Sequence, residues 1–133
     1  MATEALYVVD TNALIWHLTD DSKLGKQARD IFAAAERGET RLVISAIVIA
    51  ELYYAGRKFG LFADFDALFD RLRTSPHFRL VPFQADHVLD FDRDQEVPEM
   101  HDRIIADLAR RLNAPLIASD PRIVESGVVV AVW

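Results

Sequence analysis

The sequence contains no cysteine. That removes disulfides, thiolate metal sites and cysteine nucleophiles together, and it fits a reducing compartment. Any metal bound here has to take oxygen or imidazole ligands. There is also no uninterrupted apolar run of about 18 residues, the length that a membrane-crossing helix needs. The opening MATEALYVVD lacks the basic and apolar segments of a signal peptide. The expectation is therefore a soluble protein of the cytoplasm with no membrane partner. Positive charge is in deficit: 15 Lys and Arg stand against 21 Asp and Glu, a net charge of −6. Such a balance argues against a protein that holds nucleic acid mainly by a large positive field. It is compatible with an enzyme that cuts nucleic acid, because carboxylates gathered to hold metal add to the negative total. It also suits a basic partner protein.

What is present is a chain of 133 residues, 51% hydrophobic and 27% charged, the size and balance of one domain over residues 1–133 with a single core. Short apolar runs alternate with longer stretches of helical period, which predicts an α/β fold with a parallel sheet covered by helices on both faces. Leu6 to Val9 reads as a first strand, followed by a helix from about Asn12 through Leu18. Ser22 is placed to cap a second helix running to about Arg37, with Gly38 ending it. Arg41 to Ser45 reads as the next strand and Ala46 to Lys58 as a helix that Gly56 and Gly60 weaken and close. A further helix is expected over Ala63 to Arg73, a strand over Phe78 to Phe83, and the start of a helix at Ala85 to Phe91. The acidic stretch Asp92 to Glu99 reads as a loop. His101 to Leu112 is helical in pattern, and Leu116 to Ala118 and Val128 to Val132 close the list of strands.

Four acids fall at informative places. Asp10 directly follows the first strand, at the carboxyl edge where open parallel sheets bind ligands, although taken alone it is first of all a helix cap. Asp120 repeats the situation after Leu116-Ile-Ala-Ser, and Asp120-Pro121 is the pairing expected of an N-cap and a first helical residue. Asp102 lies near the start of a helix, where its charge suits the dipole. Glu51 differs from these: it is the lone charge in the apolar helix Ala46 to Gly56, so it should meet an Arg, a metal or a wet cavity. In a doubly wound sheet the ends of the first, second and fourth strands share one edge, so Asp10, Glu51, Asp102 and Asp120 can converge on one cleft. Clustered carboxylates repel and raise one another's pKa. Mg²⁺ or Mn²⁺, hard cations that take oxygen ligands, would resolve the repulsion.

These residues resemble a known family. Val8-Val9-Asp10-Thr11-Asn12-Ala13-Leu14-Ile15 is similar to the opening of a PIN domain, Ser45 through Glu51 to its second acidic segment, Asp102-Arg-Ile-Ile-Ala106 to its third and Leu116-Ile-Ala-Ser-Asp120 to its fourth. The order and separations match over essentially the whole chain, and the length is that of the VapC-type toxins of VapBC toxin–antitoxin pairs. The resemblance implies a three-layer fold around a parallel sheet, Mg²⁺ or Mn²⁺ in an acidic pocket, and endoribonuclease activity. It implies that Asp10, Glu51, Asp102 and Asp120 are the catalytic and metal-binding acids, with Thr11 or Asn12 supporting the first. It also implies a VapB-type antitoxin as partner and a homodimer. One departure is that Ala118 stands where the fourth segment often carries a hydroxyl residue. Ser119 is adjacent but should point elsewhere, because side chains alternate along a strand.

Other residues draw plainer readings. Arg103, Arg57, Lys58 and Arg122 are candidates to grip phosphates, with solvated surface as the alternative for each. His17, His77, His87 and His101 lack metal-ligand spacing; His101 is the exception to watch, because it adjoins Asp102, although a loop histidine is the plainer reading. Asp90, Asp92, Asp94, Glu96 and Glu99 read as a solvated loop. Asp107 follows Asp102 by five residues, which turns it away from the same helix face. In the aromatic-rich stretch Leu52, Tyr53, Tyr54, Phe59, Leu61, Phe62, Phe65, Leu68 and Phe69, about half should be core, leaving the rest for a groove between two helices. A receiver or phosphatase-type domain also places Asp after its first strand. The phosphatase site wants a second Asp where Asn12 stands, and neither explains Glu51. A PIN-type nuclease of RNA processing, or a catalytically silent protein-binding module, remain the alternatives to a toxin.

Overall fold

Five parallel strands lie in the order β3-β2-β1-β4-β5 in the computed structural model, which describes residues 5–133. Residues 1–4, on which part of the leader reading rests, lie outside it. The strands are β1 (Ala5–Val9), β2 (Thr40–Ser45), β3 (Phe78–Val81), β4 (Leu116–Ile117) and β5 (Ala131–Val132). Val8 pairs with Val43 on one side and with Leu116 on the other, which puts β1 at the centre. Val8, Val9, Leu42, Val43, Ile44, Leu116 and Ile117 are wholly buried. A parallel strand covered on both faces has no polar side, which is why these segments read as unbroken apolar runs. Each such side chain contributes about 1.5 to 3 kcal/mol by leaving water.

The covering helices are α1 (Thr11–Leu18), α2 (Lys26–Glu36), α3 (Ala46–Phe59), α4 (Phe65–Thr74), α5 (Met100–Leu112) and the short α6 (Pro121–Val124). Gly60 closes α3 in the left-handed conformation, φ 67°, and Asn113 closes α5 the same way at φ 51°. Among the described residues no helix is long and apolar enough to cross a membrane.

Three expectations need correction. Helix α2 starts at Lys26 with Gly25 as its N-cap, not from Ser22. Asp21 accepts from the Lys23 N–H in a local turn that the capping reading overlooked. Gly25 then packs so closely on Trp133 that a Cβ there would come within 2.5 Å of the Trp133 ring. The outer strands β3 and β5 are also shorter than their apolar runs, because edge strands pair on one side only. The largest correction concerns the acidic stretch. Ala85–Asp94 is a 3₁₀ segment, and Asp94 is 0% exposed. Arg110 on α5 reaches Asp94 through Nε at 2.9 Å, and Asp107 through Nη2 at 2.8 Å. Arg111 reaches Asp107 at 3.1 Å and also pairs with Asp90 at 2.6 Å. The acids were read as solvated because the guanidiniums that neutralise them lie far along the chain. Buried charge survives only when paired in this way.

Candidate active site

The change of strand order around β1 leaves a crevice at the carboxyl ends of β1 and β4, the place where open α/β sheets bind ligands. Asp10 leaves β1 there and caps α1, its Oδ1 accepting from the Ala13 N–H at 2.8 Å. Asp120 follows β4 and caps α6, its Oδ1 accepting from the Arg122 N–H at 2.9 Å. Both capping readings hold, and a cap occupies one lone pair of each carboxylate and leaves the others free. Glu51 arrives on α3 after β2, and α3 packs against both α1 and α5. Asp102 enters on the first turn of α5.

Asp10 is the buried member, with 8% of its surface exposed. Burial pushes its carboxyl up to about 7 from the usual 3.8; the Ala13 N–H opposes this, and the negative fields of Asp102, Glu51 and Asp120 add to it. Asp102 is raised as well, by burial first and then by Glu99, Asp120 and Glu51. Asp10 and Asp102 thus each lie in the negative field of Glu51 and Asp120. Asp120 goes the other way, held low chiefly by the Arg122 guanidinium, which reaches Oδ2 at 3.0 Å.

Thr11, expected to support the first acid, instead donates its hydroxyl to Glu51 Oε1 at 2.6 Å. Asn12 is exposed and lines a hollow with Ile15, Trp16, Phe59 and Leu61. Ala118 is buried, while Ser119 is exposed.

Two residues of the cleft were missed by sequence reasoning. Glu99, assigned to a solvated loop, is the N-cap of α5 and accepts from the Asp102 N–H at 2.8 Å. Its carboxyl is lowered: burial alone would raise it, but the Asp102 and His101 N–H groups and the His101 and Arg122 charges outweigh that. Glu is not among the residues that usually cap a helix start, so the sequence carried little signal for this role. His101 lies within α5 rather than in a loop, with Nδ1 3.7 Å from Glu51 Oε2 and 3.6 Å from Glu99 Oε1. Of the proposed phosphate-binding side chains, Arg103 is turned to the protein instead. It donates to the Val97 carbonyl at 2.8 Å and lies over the Phe91 ring. Arg57 likewise donates to the Tyr53 hydroxyl at 3.0 Å, and Lys58 lies over Phe59.

The donor set is entirely carboxylate oxygen with a flanking imidazole, which fits a hard divalent cation. The excess of negative charge around a buried Asp10 fits it too. Among the described residues no three His, Asp or Glu side chains already stand as a closed ligand set. The two acids that would close one are engaged locally, Asp120 by Arg122 and Glu51 by Thr11.

The family model of the PIN domain matches residues 7–127. Among solved structures, VapBC2 from Rickettsia felis bound to a promoter DNA fragment is similar at 17% identity and TM-score 0.68, over 96% of this chain and 97% of that one. Mycobacterium tuberculosis VapC20, a sarcin–ricin loop cleaving toxin, is similar at 17% identity and TM-score 0.69, over 91% and 95%. A toxin–antitoxin complex from Klebsiella pneumoniae is similar at 22% identity and TM-score 0.65, over 98% and 97%. No curated protein matches the sequence.

Proposed function

Because this chain belongs to the PIN domain family, we propose that it is a Mg²⁺- or Mn²⁺-dependent endoribonuclease and the toxin of a type II toxin–antitoxin pair. The observation that carries the reading is Asp10, a carboxyl only 8% exposed at the carboxyl end of the central strand, in the negative field of Asp102, Glu51 and Asp120. A fold has little reason to keep that arrangement unless a cation is to enter it. Asp10, Asp102 and Asp120 would hold the metal, with Glu51 doing so directly or through water. The metal would lower the pKa of bound water and neutralise charge on the phosphate and leaving oxygen.

The chain's own residues do the positioning. The Ala13 N–H fixes one oxygen of Asp10 and leaves the other to the cleft. Thr11 fixes Oε1 of Glu51, so that Oε2 is turned toward His101. Glu99 fixes the backbone at Asp102 and so sets where the first turn of α5 presents that acid.

The assignment to a toxin pair draws on the solved relatives, of which the Rickettsia and Klebsiella structures are toxin–antitoxin complexes. A VapB-type antitoxin, a homodimer and a cytoplasmic setting belong to the same reading. A groove of about 670 Å³ between α3 and α4, lined by Tyr53, Gly56, Arg57, Leu61, Phe62 and Phe65, offers room for a partner. Elsewhere in the aromatic stretch Leu52 and Leu68 are buried, whereas Tyr54 is 71% and Phe59 65% exposed. Incubating the partner-free protein with structured RNAs tests the activity. Discrete cuts with Mg²⁺ or Mn²⁺ and none with EDTA are expected. Equal cutting in EDTA would refute the metal dependence, and no cutting of any RNA would leave a protein-binding module.

A further inference from the structure

Arg122 is the cation that works against the charge of the cleft. It stands directly after Pro121 in α6, and its guanidinium forms a fork on Asp120, Nε to Oδ1 at 3.4 Å and Nη2 to Oδ2 at 3.0 Å. Its own backbone N–H adds a third donor to Oδ1 at 2.9 Å. The positive field of Arg122 extends to Asp102 and Glu99. The other basic side chain nearby, His101, stands instead against Glu51 and Glu99.

The place of this pair matters as much as its geometry. The Arg122 side chain is 61% exposed, so it lies at the wet rim of the cleft and can swing. An exposed ion pair of this kind is weakly held. A guanidinium and a hard divalent cation seek the same carboxylate oxygens, so both cannot take Asp120 in its present geometry. Once released, a guanidinium at the rim presents the planar fork that matches a phosphate.

We propose that Arg122 is a resident counter-ion of the cleft: it holds Asp120 while no metal is bound and turns to a phosphate of the RNA once metal takes Asp120. The inference rests on the reading of the cleft as a divalent-metal nuclease site.

The experiment is a calorimetric titration of the full chain with Mn²⁺, using wild type, Arg122→Gln, Arg122→Lys and Asp120→Asn, followed by cleavage kinetics on one RNA. Arg122→Gln is expected to bind Mn²⁺ about fivefold more tightly, the size of one exposed ion pair. The same variant is expected to raise KM about tenfold with kcat nearly unchanged, and to lower the salt dependence of RNA binding by about one phosphate contact. Arg122→Lys, which keeps the charge but not the fork, should fall between. Asp120→Asn should weaken Mn²⁺ binding. Unchanged or weaker Mn²⁺ affinity in Arg122→Gln, or an unchanged KM, overturns the role of Arg122 and leaves the metal cleft standing. If the wild type takes up no Mn²⁺, the metal cleft itself fails and the proposal falls with it.

Discussion

The Thr11 hydroxyl donates to Glu51 Oε1 at 2.6 Å across 40 residues of sequence, joining the helices that follow the two neighbouring strands β1 and β2. The bond spends one of the Glu51 oxygens on orientation. Thr11→Val keeps the shape and deletes the donor, so Glu51 should lose its fixed rotamer with little loss of fold. A hydrogen bond to a charged group contributes about 1.5 to 3 kcal/mol to stability, so the melting temperature should fall by about 5 to 10 °C at most, and kcat should fall as Glu51 loses its orientation. Thr11→Ser should restore most of the rate. An unaltered kcat in Thr11→Val would show that Glu51 acts without this support.

The pH response follows from Asp10. Its carboxyl is pushed up to about 7 in the folded chain from an ordinary 3.8, by burial first. A group raised on folding lends stability that is complete below its unfolded value and is lost as pH rises through its folded value. The metal-free protein should therefore become less stable between about pH 4 and pH 7 and level off above that. Asp107, pushed up to about 6 by burial and by Asp94 and Asp90, acts in the same direction at slightly lower pH. At 1.36 kcal/mol per unit, the Asp10 shift is on the order of 4 kcal/mol. In EDTA at pH 8, Asp10→Asn should melt above wild type, and the two curves should meet only below about pH 4. Parallel curves at all pH values would mean that Asp10 carries no such strain.

The paired charges between α5 and the 3₁₀ segment make a separate prediction. Asp94 is 0% exposed and depends on Arg110. Arg110→Met would leave that carboxylate buried without its partner, a change that typically costs 3 to 5 kcal/mol. Urea denaturation should show the unfolding free energy lowered by that amount, and the midpoint lowered in proportion, with the slope unchanged. Because the network stands away from the acidic cleft, the remaining folded protein should bind Mn²⁺ as wild type does. A loss below about 1 kcal/mol would mean that water already screens the pair.

What the sequence could reveal follows from how locally each feature is encoded. The strands β1, β2 and β4 were readable because complete burial turns them into apolar runs, and Asp10 and Asp120 because each ends such a run and opens a helix. Glu51 was readable as a lone charge among apolar neighbours. Glu99 and His101 were hidden because their role depends on where α5 begins, and one residue's difference in that start moves them from loop to cleft. Asp94 and Asp107 were hidden for another reason: their partners Arg110 and Arg111 are brought to them by packing, and pairing at that range leaves no periodic trace. Thr11 was placed beside the correct acid in sequence but serves a different one in space, since a side chain leaving a helix start can reach across to a neighbouring helix.

Metal-dependent cleavage by wild type and Asp10→Asn, compared on the same RNA with Mg²⁺, with Mn²⁺ and with EDTA, tests the central claim most directly. Asp10→Asn should keep its fold, lose Mn²⁺ binding and lose at least about a hundredfold in cleavage, the scale expected when a group that acts on the transition-state charge is removed. Wild-type cleavage should vanish in EDTA and return with added metal. Full activity in Asp10→Asn would contradict the assignment of the buried acid as the heart of the site.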